Sequence, residues 1–180
     1  LLIADKLYKR NPKEWRKGGQ VSREAAVERL RRRHFQSWPE FVGRREGQAA
    51  ALAFSEPYAG DRVAALVFGL LTMVDAAFEH KQEFYLLDGL NETKLFNCAR
   101  NMEVAIWKLG NDRNAAGELF LLSNELDPGN RNLSFEREFG RLTGLLDFMA
   151  KVVADRNGRT LSRLTHSVVS SIFLPVSFLK

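Results

Sequence analysis

The chain has 180 residues, 45% of them hydrophobic and 27% charged, with one cysteine and a formal net charge of +5. This length suits one domain with a full core. The single Cys98 excludes an intrachain disulfide, and no apolar run reaches the roughly 18 residues that a membrane-spanning helix needs.

The charge is segregated. Residues 1–50 carry 13 Lys and Arg against 6 Asp and Glu, whereas residues 51–180 carry 14 against 16. A basic first quarter ahead of a nearly neutral body predicts an N-terminal contact with something anionic: a membrane surface, nucleic acid or an acidic protein. The apolar start Leu1–Ile3, followed by Lys6, Lys9, Arg10 and Lys13, reads as the tail of a removed signal or anchor. It reads equally as the first turn of an amphipathic helix.

In chain order, residues 1–20 form a basic, loosely patterned lead-in broken by Asn11-Pro12 and Gly18-Gly19. Residues 21–180 read as a single helical domain. Ser22 caps a helix to about Gln36, with Glu24 in its first turn. Ser37-Trp38-Pro39-Glu40 starts another as a capping box, and Glu56-Pro57 and Gly60 end it. Asp61 to about Lys81 is the most apolar segment. Val63, Val67, Leu70, Leu71, Val74 and Phe78 make a large-residue stripe opposite the small Ala65, Gly69, Thr72 and Ala76. Packing on both sides is expected, with the small face admitting a neighbouring backbone. Asn91 to Leu109 is the next helix, stopped by Gly110. A helix over Arg113–Glu125 stops at the turn signal Asp127-Pro128-Gly129-Asn130. Ser134 caps a long helix to about Ala154, and Asn157-Gly158 leads to a last helix from Thr160 to about Phe173. Within that helix Val168–Phe173 is β-branched enough to compete as a strand. The fold class is therefore all-α, with six or seven helices packed as successive antiparallel hairpins around the 61–81 helix.

No catalytic motif is present: there is no Gly-x-Ser-x-Gly, no phosphate-binding Gly-x-x-x-x-Gly-Lys and no His-Glu-x-x-His. Asp75 lies between the two faces of the apolar helix. It is either a buried acid–base carboxylate or one half of a buried polar pair, with Arg31 the candidate partner; pairing is the commoner fate of a buried charge. Asp75, Glu79 and Glu83 with His80 lack the Glu-x-x-His repeat of helical metal sites, so neither metal nor cofactor is expected. His34 reads as a core residue beside Val27, Leu30 and Trp38. His166 has no spaced partner for a triad. Cys98, among Leu95, Phe96, Ala99 and Met102, reads as a small buried hydrophobe. Asn91-Glu-Thr and Asn132-Leu-Ser match the glycosylation sequon, but about one match is expected by chance at this Asn content, so the two are uninformative. The candidate anion-binding residues are Lys6, Lys9, Arg10, Lys13, Arg16, Lys17, Arg29, Arg32 and Arg33, with Trp15 among them. Glu28 and Arg32 are spaced to pair along the helix.

About residues 95–128 resemble one tetratricopeptide hairpin, the match being carried by the stretch from Trp107. Ala116, Phe120 and Ser123 fall at its small–aromatic–small positions, and Trp107 at its late aromatic site. Arg100, Glu103 and Val104 depart from the pattern, and no second copy follows. The resemblance implies antiparallel helix-pair packing and a protein-binding scaffold.

These features predict a non-catalytic interaction protein. It would bind a partner protein or peptide in a groove between helices and rest on an anionic membrane surface through its basic N-terminal region, as a bacterial envelope lipoprotein would. The envelope is favoured over the cytoplasm. The alternatives are a nucleic-acid-binding regulator using residues 6–33 and an enzyme built on Asp75.

Overall fold

The computed structural model describes the chain except residues 34, 35, 37, 82, 84–88, 125–131, 159–171 and 178–180. The described residues form seven α-helices and one 3-10 turn, with no sheet. The helices are α1 (Leu2–Arg10), α2 (Pro12–Lys17), α3 (Arg23–Arg33), α4 (Glu46–Leu52), α5 (Arg62–Ala77), α6 (Glu92–Asn111) and α7 (Ser134–Arg156). The all-α expectation holds. Neighbouring helices α4–α5, α5–α6 and α6–α7 run antiparallel, as their cross-helix hydrogen bonds and ion pairs show.

α5 is the central helix. Asp61 caps it by accepting a hydrogen bond from Ala64 N at 2.8 Å, and most of its residues on both faces are buried. Its small face works as expected. A Cβ on Gly69 would lie 2.5 Å from both Ala50 N and Glu46 O, so only glycine lets the α4 backbone come this close. Thr72 completes the seam, its hydroxyl accepting from Glu46 N at 2.8 Å. α5 stops at Ala77, short of Lys81. Glu79 and His80 then take left-handed backbone conformations, at φ 56° and 57°. This strain is offset by His80 N donating to the Asp75 carbonyl and by pairing of their side chains.

The lead-in is not loosely patterned. Residues 2–17 form α1 and α2, and Ala4, Leu7 and Tyr8 join the same core as α5. Asn11-Pro12 separates two helices, because proline is tolerated at the first helical position. Ser22 accepts from Ala25 N, as a cap should. The helix expected from Ser37 to Glu56 divides into a 3-10 turn, Pro39–Phe41, and α4, separated by Val42 and Gly43 in left-handed conformations; Ser37 lies outside the described residues. That turn stacks Trp38 on Phe41 at 5.3 Å and brings Phe41 to 5.0 Å from Phe68. Aromatic pairs of this kind contribute about 1 kcal/mol each beyond their burial.

Residues 112–124 are not helical, contrary to the expected Arg113–Glu125 helix. The Asn114 side chain accepts from Ala116 N and Glu118 N, and Gly117 takes a positive φ of 78°. Local side-chain hydrogen bonds outcompete the helix here. The residues behind the tetratricopeptide resemblance therefore divide. Trp107 lies on α6, whereas Ala116, Phe120 and Ser123 lie in this loop. Asn11 ties the loop to α1, bonding both Leu122 N and Leu122 O.

Ser134 does not cap α7. It is the first helical residue, and the Asn132 side chain accepts from its N–H at 3.0 Å. Phe135, Phe139, Leu146, Ala150 and Val153 bury one face of α7. The expected helix from Thr160 lies outside the described residues through Ser171, as does most of Val168–Phe173; Ile172 and Phe173 are neither helix nor strand.

Candidate functional site

The candidate anion-binding residues whose side chains are described separate into two groups. In the first, the charge is answered within the protein. Lys6 pairs with Glu138 of α7 at 3.1 Å, and Lys17 with Glu14 at 2.7 Å. Arg29 is half-buried, 2.6 Å from Glu40 and 4.1 Å above the Trp38 ring. Sequence periodicity points Arg29 outward, but the turn at Pro39 folds Trp38 and Glu40 over it. Arg31 and Arg32 both bond Glu28, whose carboxyl they push down to about 2. Arg10 is half-buried. Arg33 ends α3, and its side chain lies outside the described residues.

The second group is Lys9, Lys13 and Arg16. All three are exposed on α1 and α2, and among the described residues none makes an ion pair. Arg16 lies 4.9 Å from the Trp15 ring, itself packed partly against the core. Leu1 and Leu2 are exposed at the start of α1.

The expected Asp75–Arg31 pair does not form. Asp75 bonds the exposed His80 at 2.5 Å, while the Arg31 guanidinium is held by Glu28 on the surface. α5 ends at Ala77, which lets the chain fold His80 back onto Asp75. Glu79 pairs with Lys94 at 2.8 Å, so the three carboxylates do not converge. Among the described residues no group of His, Cys, Asp or Glu is placed to hold a metal ion. His34 and His166 lie outside the described residues. Cys98 is fully buried, and burial pushes its thiol up to about 12, leaving it protonated and inert.

The carboxylate with the more unusual setting is Asp61. It is buried, accepts from Tyr8 Oη at 2.8 Å and caps α5. Burial raises it to about 6, against the hydrogen bonds that favour its charged form. Beside it Glu14 accepts from Arg62 N at 2.8 Å. Both carboxylates thus satisfy the N-terminus of α5 and dock α1 and α2 onto it. The sequence shows Asp61 only as a helix start.

Two further features escaped sequence reasoning. The first is a C-terminal strap. Residues 172–177 cross between α4 and α6. Leu174 N donates to Asn101 Oδ1 at 2.7 Å, and Asn101 Nδ2 donates back to Leu174 O at 2.9 Å. Asn97 donates to Pro175 O at 3.0 Å. Ser177 bonds Glu46 through both its N–H and its hydroxyl. Val176 is fully buried. The available signal was the pair Asn97 and Asn101, four residues apart on one face of α6. The second feature is the outer face of α7, where Leu142, Leu145 and Phe148 are exposed, the last two at 63% each.

No family model, no curated protein and no solved structure matches this chain. What it does must be argued from its own geometry.

Proposed function

We propose that this chain is a non-catalytic interaction protein that binds a partner protein or peptide. Its N-terminal helices hold it against an anionic membrane surface, as an envelope lipoprotein is held. The observation that carries this reading is the division among its cations. Lys6, Lys17, Arg29 and Arg32 are closed within protein pairs, whereas Lys9, Lys13 and Arg16 stand exposed on α1 and α2. Exposed Leu1 and Leu2 on the same helix add apolar contacts that an interfacial helix uses. Three such cations contribute about 3 kcal/mol at an anionic bilayer. The exposed apolar face of α7 supports the partner-binding half.

Co-sedimentation with phosphatidylcholine vesicles, with and without phosphatidylglycerol, tests the membrane half. Binding is expected only with the anionic lipid, weakening as salt rises. The K9E/K13E/R16E triple variant should lose it. Undiminished binding by that variant would overturn the reading. Nucleic acid would use the same cations, but Arg31 and Arg32, the densest part of the basic run, are tied to Glu28. Nucleic-acid binding that falls steeply with salt, without vesicle binding, would transfer the surface to that partner.

A further inference from the structure

We propose that the groove between α4 and α6 is a binding site for an extended peptide segment of a partner, which residues 172–177 occupy from within the chain when that partner is absent. This site rests on the reading of the chain as an interaction protein. Its test involves no lipid, so a failed groove leaves the basic surface standing, and the reverse.

Asn101 sits at the bottom of the groove with no exposure to solvent. Its carboxamide takes the N–H and the carbonyl of a single residue, Leu174, at 2.7 and 2.9 Å. That is a grip on backbone, indifferent to the side chain it holds. The interior of a helix cannot answer it, because its backbone groups are already paired along the helix. Asn11 grips Leu122 in the same way, but on the surface, where water can replace the loop. Asn101 is fully buried beneath the seated strap, where a carboxamide left unanswered would be costly. The groove therefore requires an extended backbone, and any extended backbone meets its polar demand.

The neighbouring positions set which segment fits. A Cβ on Gly47 would lie 2.6 Å from Phe173 Cβ, so α4 leaves room there for a large side chain. Val176 enters the core completely. Glu46 accepts both the N–H and the hydroxyl of Ser177. Pro175 needs no N–H partner, and its carbonyl is taken by Asn97 at 3.0 Å. The ligand class is an extended segment with an aromatic residue, a small apolar residue three positions later and a hydroxyl after that, with proline tolerated between. The strap does not fill the space available. About 670 Å³ lies open beside it, lined by Gly43, Arg45, Gln48, Ala51, Lys108 and Ile172. Ile172 is exposed, and residues 172–175 have no regular structure of their own. Elements held this way are the ones that open locally.

The test uses the full-length chain and a fluorescein-labelled, end-capped peptide Ile-Phe-Leu-Pro-Val-Ser. In the Val176→Asp variant the resident strap can no longer bury its anchor, so the groove is offered to the peptide. Fluorescence anisotropy should show saturable binding at least about tenfold tighter to V176D than to the native chain, because a cis occupant lowers the competent fraction. Adding Asn101→Ala to V176D should abolish binding. No binding to a V176D variant that keeps its native helical circular dichroism overturns the proposal, as does binding indifferent to Asn101. If V176D fails to fold, hydrogen exchange on the native chain decides. Excess peptide should speed exchange of the Leu174 and Ser177 amides and leave those of α5 and α6 unchanged. Unchanged exchange at Leu174 overturns the proposal.

Discussion

Gly69 and Asp61 show how much can rest on single side chains. At Gly69 a methyl group would meet backbone atoms of α4 at 2.5 Å, and backbone cannot step aside as a flexible side chain can. Gly69→Ala should destabilise the protein by about 2–3 kcal/mol despite alanine's better helix propensity, read as a lower urea midpoint at unchanged slope. At Asp61 the consequence is a pH dependence. Burial raises its carboxyl from 3.8 to about 6, so the folded state holds the proton more tightly than the unfolded chain does. The stability from this group is complete below about pH 4 and is lost as pH rises through about 6. Asp61→Asn keeps an acceptor for Ala64 N and should flatten the unfolding free energy over that window. Asp61→Ala removes the cap and leaves the buried Tyr8 hydroxyl without its acceptor, at a cost of about 2 kcal/mol or more. An Asp61→Asn variant with the native slope would assign the pH dependence elsewhere.

At the scale of elements, helix ends separate what is local from what is not. Ser22 and Asn91 cap the helices that follow them, as their positions in the sequence indicate. Ser134 matches the same local pattern, yet the side-chain acceptors at the start of α7 are Asn132, for Ser134 N, and Asn124, for Phe135 N. Asn91→Ala and Asn132→Ala should each cost about 1 kcal/mol in chemical denaturation, whereas Ser134→Ala should fall within about 0.5 kcal/mol of native. A cost at Ser134 equal to that at Asn132 would return the cap to the serine. The 112–124 loop carries the same lesson. Its composition permits a helix, but Asn114 and Gly117 offer a tight turn whose hydrogen bonds close locally, and Leu121 and Ser123 are then buried against the neighbouring elements.

For the molecule as a whole, α1 and α2 are both part of the core and the carriers of the exposed cations. Reversing Lys9, Lys13 and Arg16 should therefore leave thermal stability within a few degrees of native while removing attraction to anionic vesicles, since all three are exposed and among the described residues none makes an ion pair. A large drop in melting temperature would mean that these residues serve the fold instead. The contrast with Lys6 is useful. Lys6→Glu faces Glu138 across α1 and α7, and like charges there should loosen the packing of α1.

The amino-acid sequence by itself determined the helical class, the central position of α5 and its small face, the burial of Cys98 and the segregation of charge. These follow from periodicity, side-chain size and net charge, which any fold of this chain must respect. Only the tertiary structure decided which cations remain available. Arg29 and Lys6 lie in the same basic run as Lys9 and Lys13, but their partners Glu40 and Glu138 are 11 and 132 residues away. It likewise decided that Asp75 belongs to His80 rather than to Arg31, and that Asn101 holds a segment 73 residues further on. Pairings over such separations are set by how helices dock, and helix docking is governed by packing that no local pattern encodes.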